Sequence, residues 1–439
     1  MRKGSSVPGQ RSEVGIGLMG LGVIGSAVAR ALLERGQAYG QQAGCPLRLV
    51  RILERDPDRE RPVRVDRALF TQDVRDIVDN QDIGIVIEVL GGEHPAYEYQ
   101  RQALEAGKYV VTANKEVIAK HGPDLRSLAH EHGVDILYEA SVGGGIPIIA
   151  PLRRDLLANE FVAISAIING TTNYILTSMS REGADFGPAL RRAQELGYAE
   201  ADPANDVEGV DAAYKVAILA SLAFRTDVYP EDVYREGITR LSARDFRYAH
   251  ELGCVIKLLA LARKDGPQLQ VRVHPVFLRE DQPLAKVDGV LNAVQVEGDL
   301  VGRVLFQGQG AGPLATSSAV VGDVLDAARS IVAGSPERPS PPPSQVCSVR
   351  PMSELRTRYY MRMVVVDNPG VLARIAQVLG DHQISIASVI QKEADPQAQT
   401  AEIVIMTHEA QEESVQQALR EVERLPVVAE IGNFLRVEG

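Results

Sequence analysis

The stretch VGIGLMGLGVIGSAVARALLER, Val14 to Arg35, decides the fold. Its first six residues are apolar or glycine, a short buried strand when turn chemistry follows at once. Gly20-Leu21-Gly22-Val23-Ile24-Gly25 then has the spacing GxGxxG, and Ala, Val and Leu recur at helical intervals beyond it. Strand, glycine turn and helix in this order open a dinucleotide-binding sheet. The glycines permit a tight turn and leave a helix N-terminus facing a pyrophosphate. A purely structural turn is the alternative for a lone motif, and the flanking strand and helix weigh against it. Gly20, Gly22, Val23, Ile24 and Gly25 are therefore the expected cofactor cradle.

Outward from this motif, apolar runs at Leu47–Leu53, Ile83–Leu90 and Tyr109–Thr112 alternate with helical patterns such as Ala96–Ala106. The alternation predicts an α/β fold with a Rossmann-type, doubly wound parallel sheet over residues 12–140. Glu54-Arg55-Asp56 ends the second strand, where an acid suits a free ribose 2′-hydroxyl and an Arg suits a 2′-phosphate. Both are present, so NADP or NAD remains open, with Arg55 leaning towards NADP. Gly91-Gly92 and Thr112-Ala-Asn-Lys115 end the next two strands and are expected to line the same crevice. Lys115 lies at its nicotinamide end, with a plain solvated loop lysine as the alternative.

The rest of the 439 residues excludes several classes. Lys plus Arg number 47 against 58 Asp plus Glu, a net charge of −11, which argues against a nucleic-acid surface. The three cysteines, Cys45, Cys254 and Cys347, have no paired spacing, so a disulfide framework is not expected and a cytoplasmic location is. Met1 to Arg11 lacks the apolar core of a signal peptide, and no uncharged run is long enough to span a bilayer. The eight histidines form no zinc-ligand spacing.

Residues 141–332 read as a mixed α+β substrate and dimerisation domain. Its helices are expected at Pro188–Leu196 and Val210–Phe224, and its strands at Gln268–Val276, Ala293–Glu297 and Val301–Phe306. The most informative stretch is AQELGYAEADPANDVEGVDAAYK, Ala193 to Lys215. A helix stops at Gly197, and a polar loop carries Glu200, Asp202 and Asp206 into a second helix. Asp211 and Lys215 lie four apart and share one face. An exposed ion pair is one reading. The mostly apolar surroundings favour a buried helix, in which charges are costly unless paired and used.

This pattern resembles the homoserine dehydrogenase signature at each of its fixed positions, and the likeness extends over about residues 12–330, including Gly143-Gly-Gly145 and Gly308–Pro313. The resemblance implies reversible, NAD(P)H-dependent reduction of L-aspartate 4-semialdehyde to L-homoserine. It makes Lys215 and Lys115 the catalytic lysines and Glu200 and Asp211 the carboxylates for the substrate's amino group, with Asp206 orienting this set. Gly197 and Gly312, with Arg55, Gly91, Gly92 and Lys115, join the cofactor-binding set. Glu139 with the carbonyls of Val142, Gly144 and Ile146 resembles the family's monovalent-cation loop. Oxygen ligands suit a hard ion such as Na⁺, and a plain glycine turn is the other reading. Asn169-Gly-Thr-Thr-Asn173 either faces substrate or caps a helix.

Ser335–Ser344 (SPERPSPPPS) is Pro-rich and reads as part of a linker over 333–356. Residues 357–439 then run strand, helix, strand, strand, helix, strand, a ferredoxin-like order. Asp367-Asn-Pro-Gly370-Val-Leu resembles the ACT domain, which implies amino-acid binding where two copies meet. L-Threonine is the implied effector, Asp367, Asn368 and Gly370 its site, and a homodimer or homotetramer the assembly. An inert dimerisation module is the alternative. On this reading, removing residues 345–439 should leave activity and abolish threonine sensitivity. Two other classes compete: a dehydrogenase with another amino-acid substrate, and a catalytically silent sensor. The match over Glu200–Lys215 and the presence of both lysines argue against them.

Overall fold

The computed structural model describes residues 13–334, 347–395 and 397–438. The expected linker stretch Ser335–Ser344 and the N-terminal Met1–Arg11 lie outside the described residues. The chain forms two compact units, Met1–Phe161 with Ala217–Pro230 and Gly298–Val346, and Val162–Val216 with Glu231–Glu297 and Cys347–Gly439.

The first unit opens with β1 (Val14–Met19), α1 (Val23–Ala43), β2 (Leu47–Leu53), β3 (Phe70–Thr71), α2 (Arg75–Val78) and β4 (Ile83–Glu88). It continues through α3 (Ala96–Glu105), β5 (Tyr109–Thr112), α4 (Lys115–Glu131), β6 (Ile136–Leu137) and α5 (Ile149–Arg153). The strands pair in parallel in the order β3-β2-β1-β4-β5-β6. β1 and β4 are buried along their whole length, which is why they read as unbroken apolar runs. The order reverses between these two strands, and the ligand crevice of such a sheet lies beyond their carboxyl ends.

Two helices differ from the sequence pattern. α1 continues beyond Arg35 to Ala43, because Gly36 and Gly40 are only weak breakers, and it stops at Gly44 with φ +80°. α4 was hidden by its charges and by Pro123. Val117, Ile118, Leu125 and Ala129 nevertheless form its buried face, and the Asn114 side chain caps it by accepting the Val117 N–H.

The second unit contains β7 (Phe161–Ile167), α6 (Gly170–Glu182), α7 (Phe186–Glu195), α8 (Ala204–Val207) and the start of α9 (Val210–Phe224). β8 (Tyr234–Arg235), α10 (Ala243–Glu251), β9 (Cys254–Asp265), β10 (Gln268–Arg279) and β11 (Leu291–Gly298) follow. The chain then returns to the first unit for β12 (Gly302–Gln309) and α11 (Pro313–Ala333), which packs along α1. It ends in the second unit with β13 (Ser348–Val349), β14 (Arg356–Val366), α12 (Val371–Asp381), β15 (Ile386–Asp395), β16 (Thr400–Thr407), β17 (Ala410–Gln411), α13 (Glu412–Val422) and β18 (Val428–Glu438).

The terminal strands form the expected ferredoxin-like unit, in the order β18-β14-β16-β15 and antiparallel throughout. Tyr359, Met363, Ile375, Ile403 and Val415 lie in its core. This unit continues the sheet of the region before the Pro-rich stretch. β18 pairs in parallel with β10, Val276 to Arg436 and Phe277 to Val437, so one sheet runs through both. Two buried arginines fasten the junction. Arg362 donates to Asp245 on α10 at 2.8 Å and to Glu402 at 3.1 Å, and Arg436 reaches Glu236 and Glu412. Deleting residues 345–439 would strip β18 from β10 and leave Asp245 without its cation.

Candidate active site

The first unit holds a dinucleotide crevice made largely of backbone. Gly20 leaves β1 at φ +97°, and Gly22 starts α1 without any side-chain cap, so the first amides of the helix are available to a ligand. A Cβ on Gly25 would lie 2.0 Å from the Gly20 carbonyl oxygen, so only glycine lets the helix approach the turn. A cavity of 260 Å³ opens here, walled by Leu21, Gly22, Val23, Arg30, Arg59 and Arg61.

Glu54 at the end of β2 is engaged by its own loop. Its carboxylate accepts the amides of Leu21 at 3.0 Å and Asp56 at 3.2 Å and pairs with Arg61 at 3.3 Å. Burial alone would raise its pKa, but the two amides and the guanidinium outweigh that and hold it below the usual carboxylate range. Arg61 also donates to the carbonyls of Leu21, Asp56 and Arg59. Arg55, the expected phosphate contact, is exposed and contributes nothing to the cavity wall. Arg59 and Arg61, on the loop that follows, line the cavity.

Beyond β4, Gly91 and Gly92 both have positive φ, +79° and +73°, a succession that only glycine adopts easily. Fully buried Glu88 ties this turn to the next. It accepts the Leu90 amide, the Thr112 hydroxyl at 2.8 Å and the Gln100 amide at 2.6 Å. Asn114 in turn donates to the Gly92 carbonyl at 2.7 Å. Lys115 is the first residue of α4, half-buried, directly behind this braced turn. Glu88 and Gln100 were not singled out from sequence. A carboxylate closing an otherwise apolar strand was the available signal.

The Glu139 loop lies in the same unit. The carboxylate accepts three amides, from Ile148 at 2.6 Å, Ile149 at 2.9 Å and Ala150 at 2.6 Å, and so caps α5. Three of its roughly four lone-pair positions are thereby used. The buried carbonyls of Val142, Gly144 and Ile146 accept no hydrogen bond among the described residues. One remaining carboxylate position with three open carbonyls is a donor set that fits a hard monovalent cation. No cluster of three His, Cys, Asp or Glu suited to a metal occurs among the described residues. Gly312 opens α11 at φ +119°, ahead of Pro313.

In the second unit the sequence motif closes into one hydrogen-bonded cluster. Asn169 is the N-cap of α6, accepting the Thr172 amide at 2.9 Å. Its side-chain amide donates to both Asp206 at 2.7 Å and Asp211 at 2.9 Å. Of the two readings for Asn169 the helix cap is the one observed, and the same side chain also bridges the two acids. Lys215 donates to Asp211 at 2.7 Å and to the Ile168 carbonyl at 2.8 Å, leaving one of its three N–H groups. The pair is no surface bridge: the side chains are 11% and 5% exposed. Glu200 stands apart on the loop, exposed, with no side-chain partner among the described residues. Gly197 ends α7 in the left-handed conformation, φ +75°. Tyr198 packs on Tyr174 at 4.9 Å, and its carbonyl accepts the Thr171 hydroxyl.

Asp367, Asn368 and Gly370 form an exposed turn at the N-terminus of α12, with Gly370 at φ +88°. No helix among the described residues is long and apolar enough to cross a membrane.

Comparison with known proteins fits this division of labour. The model of a homoserine dehydrogenase NAD-binding domain matches residues 20–139, that of the homoserine dehydrogenase domain 147–325, and that of the ACT domain 359–427. The chain is similar to homoserine dehydrogenase of Synechocystis sp., 44% identical over 97% of this chain and 99% of the relative. It is similar to that of Neisseria gonorrhoeae at 41% over 97% and 99%. A homoserine dehydrogenase structure from Thiobacillus denitrificans superposes with a TM-score of 0.89 at 40% identity, covering 98% of this chain and 99% of that one. A hyperthermophilic archaeal homoserine dehydrogenase in complex with NADPH gives 0.62 at 30%, covering 72% and 97%.

Proposed function

The chain belongs to the homoserine dehydrogenase family, and from that premise we propose the residues that carry the reaction and the molecules that meet them. The enzyme is an NAD(P)-dependent oxidoreductase that interconverts L-aspartate 4-semialdehyde and L-homoserine. The nicotinamide cofactor, when bound, supplies the hydride. As the carbonyl carbon is reduced, its π electrons move onto oxygen, and a proton must reach that oxygen.

Lys215 is the proton donor in this reading. The observation that carries it is the buried ammonium held at two of its N–H groups by Asp211 and Ile168, which leaves the third for an aldehyde oxygen. Asp211, Asp206 and Glu200 receive the substrate's ammonium, carboxylates being its natural partners. Lys115 is the second cation of the reaction. Gly20, Gly22, Val23, Ile24, Gly25, Gly91, Gly92, Gly197 and Gly312 form the cofactor-binding set. Arg30, Arg59 and Arg61 favour a 2′-phosphate and hence NADP. Supporting that preference, Glu54 is already engaged by amides and by Arg61, and is poorly placed to serve a ribose hydroxyl. Glu139, Val142, Gly144 and Ile146 hold a Na⁺-like ion in a structural role. L-Threonine binds beside Asp367, Asn368 and Gly370 and acts as feedback effector of a cytoplasmic homodimer or homotetramer.

One assay tests the core of this. Oxidation of NADPH and of NADH is followed with aspartate semialdehyde, with and without millimolar threonine. Lys215→Met, which keeps volume but removes the ammonium, is expected to lower kcat by about 10²–10⁴-fold with NADPH affinity preserved. Unchanged turnover in that variant would remove Lys215 from the mechanism, and a wild-type enzyme indifferent to threonine would remove the effector.

A further inference from the structure

The turn that carries Asp206 and Asp211 rests on a second segment, residues 236–238, and that segment is held by the C-terminal strand. The Ile238 amide donates to the Val207 carbonyl at 2.9 Å, one residue after Asp206 and four before Asp211. Gly237 lies so close beneath that a Cβ there would fall 2.4 Å from the Val207 oxygen and 2.8 Å from Glu208 Cα. On its other side the segment is anchored twice. The Glu236 amide donates to Val273 of β10 at 2.8 Å, and the Glu236 carboxylate accepts Arg436 Nη1 at 2.7 Å and the Tyr234 hydroxyl at 3.2 Å.

Charge balance does not require this second carboxylate. Arg436 is fully buried on β18, and Glu412 already meets it with both oxygens, at 2.9 Å and 2.5 Å. What Glu236 adds is position: its bond to a guanidinium held rigidly by β18 fixes the height of residues 236–238 and thus of the Val207 carbonyl. We propose that Glu236 is a positioning residue for the substrate's ammonium site, tying the Asp206–Asp211 turn to the last strand of the chain. The proposal rests on the reading that Asp206 and Asp211 receive that ammonium. It makes the C-terminal module a participant in substrate affinity.

The test uses the full-length enzyme with L-homoserine and NADP⁺. Glu236→Ala leaves the Arg436–Glu412 pair intact and is expected to raise the KM for homoserine about fivefold or more, with the KM for NADP⁺ within about twofold. Glu236→Gln keeps an acceptor for Arg436 and Tyr234 and should restore the homoserine KM to within about twofold of wild type. A Glu236→Ala enzyme that loses kcat or melting temperature while its homoserine KM stays unchanged overturns the proposal. So does a Gln variant as impaired as the Ala variant, because the effect would then be charge and not geometry. Asp211→Asn serves as the separate control: if its homoserine KM is unaltered, the ammonium reading fails on its own account.

Discussion

At the carboxyl end of β1 and at the seam between β10 and β18 the molecule solves two attachment problems by different means. The crevice presents backbone: an uncapped helix N-terminus, a glycine at φ +97°, and a Gly25 that cannot carry a side chain. The seam presents buried charge, with Arg362 between Asp245 and Glu402 and Arg436 between Glu412 and Glu236. A crevice that must accept a large anion keeps its helix-terminal amides unspent. A permanent junction spends its donors internally, and the burial that makes such pairs costly also makes them intolerant of a missing partner.

The largest effect should therefore come from breaking the seam. Arg362→Met leaves Asp245, which is 0% exposed, with the Tyr360 hydroxyl, Asn433 and Ser242 but no cation. A loss of about 3–5 kcal/mol is expected, read as a shift in the denaturant midpoint of the full chain. A loss under about 1 kcal/mol would place these pairs with ordinary surface bridges. Next comes the crevice: Gly25→Ala forces a methyl against the Gly20 carbonyl, and such overpacking typically costs about 1–3 kcal/mol. Because the strain falls on the turn facing the cofactor, the KM for NADPH should rise by about tenfold or more, and more than the KM for the semialdehyde does. Equal changes in both would mean that the turn serves the fold and not the cofactor.

The same contrast explains what could be read from sequence. The crevice is legible because its determinants are contiguous: six residues from Gly20 to Gly25 state the turn, the close approach and the helix start. The Asp211–Lys215 pair is legible for the same reason, being four residues apart on an apolar helix. Arg362 and Asp245 are separated by 117 positions, and Arg436 and Glu236 by 200, so no local pattern announces either pair. Nothing in the Pro-rich stretch or its flanks signals that β18 pairs with β10. β9, CVIKLLALARKD, went unread because its polar residues break both periods, yet Lys257 within it is buried against Val287 and Asp288. Arg55 illustrates the limit within a motif: position relative to a strand end predicts the residue type, while the arginines that line the cavity, Arg59 and Arg61, come four and six residues further on.

The seam also carries a pH dependence. His274 on β10 is fully buried, its Nε2 accepts from Arg272 Nε at 3.2 Å, and its Nδ1 faces the Pro275 carbonyl at 3.1 Å. A guanidinium can only donate, so the ring is neutral with its proton on Nδ1. Burial first, then the nearby charges of Arg436 and Arg272, push its pKa well below the ordinary value, and Tyr234 packs edge-on at 6.4 Å. The unfolded chain therefore binds a proton that the folded chain refuses once pH falls below about 6.5. This contribution is absent above that pH, and stability should drop by up to about 1.4 kcal/mol per pH unit below it. His274→Asn should flatten that part of the slope between pH 6.5 and 5.5 in urea titrations. Parallel slopes in the two proteins would exclude the histidine as their source.

The smallest effect distinguishes the arginines around the crevice. If the 2′-phosphate is met by the loop that returns to the cavity, Arg55→Ala removes only an exposed side chain whose backbone carbonyl, not its guanidinium, is engaged, by Gln72. Exposed substitutions of this kind stay within about 0.5 kcal/mol, so NADPH KM should move by no more than about twofold. Arg61→Ala is the matched comparison. It removes the donor to the Leu21 carbonyl and the partner of Glu54, and should weaken NADPH more than NADH, by about tenfold if one charge-assisted contact to phosphate is lost. An Arg55 variant that loses NADPH selectivity while the Arg61 variant keeps it would reverse the assignment. It would mean that the loop from Asp56 to Arg61 rearranges when a dinucleotide enters, exchanging the Arg61 contacts for new ones made by Arg55.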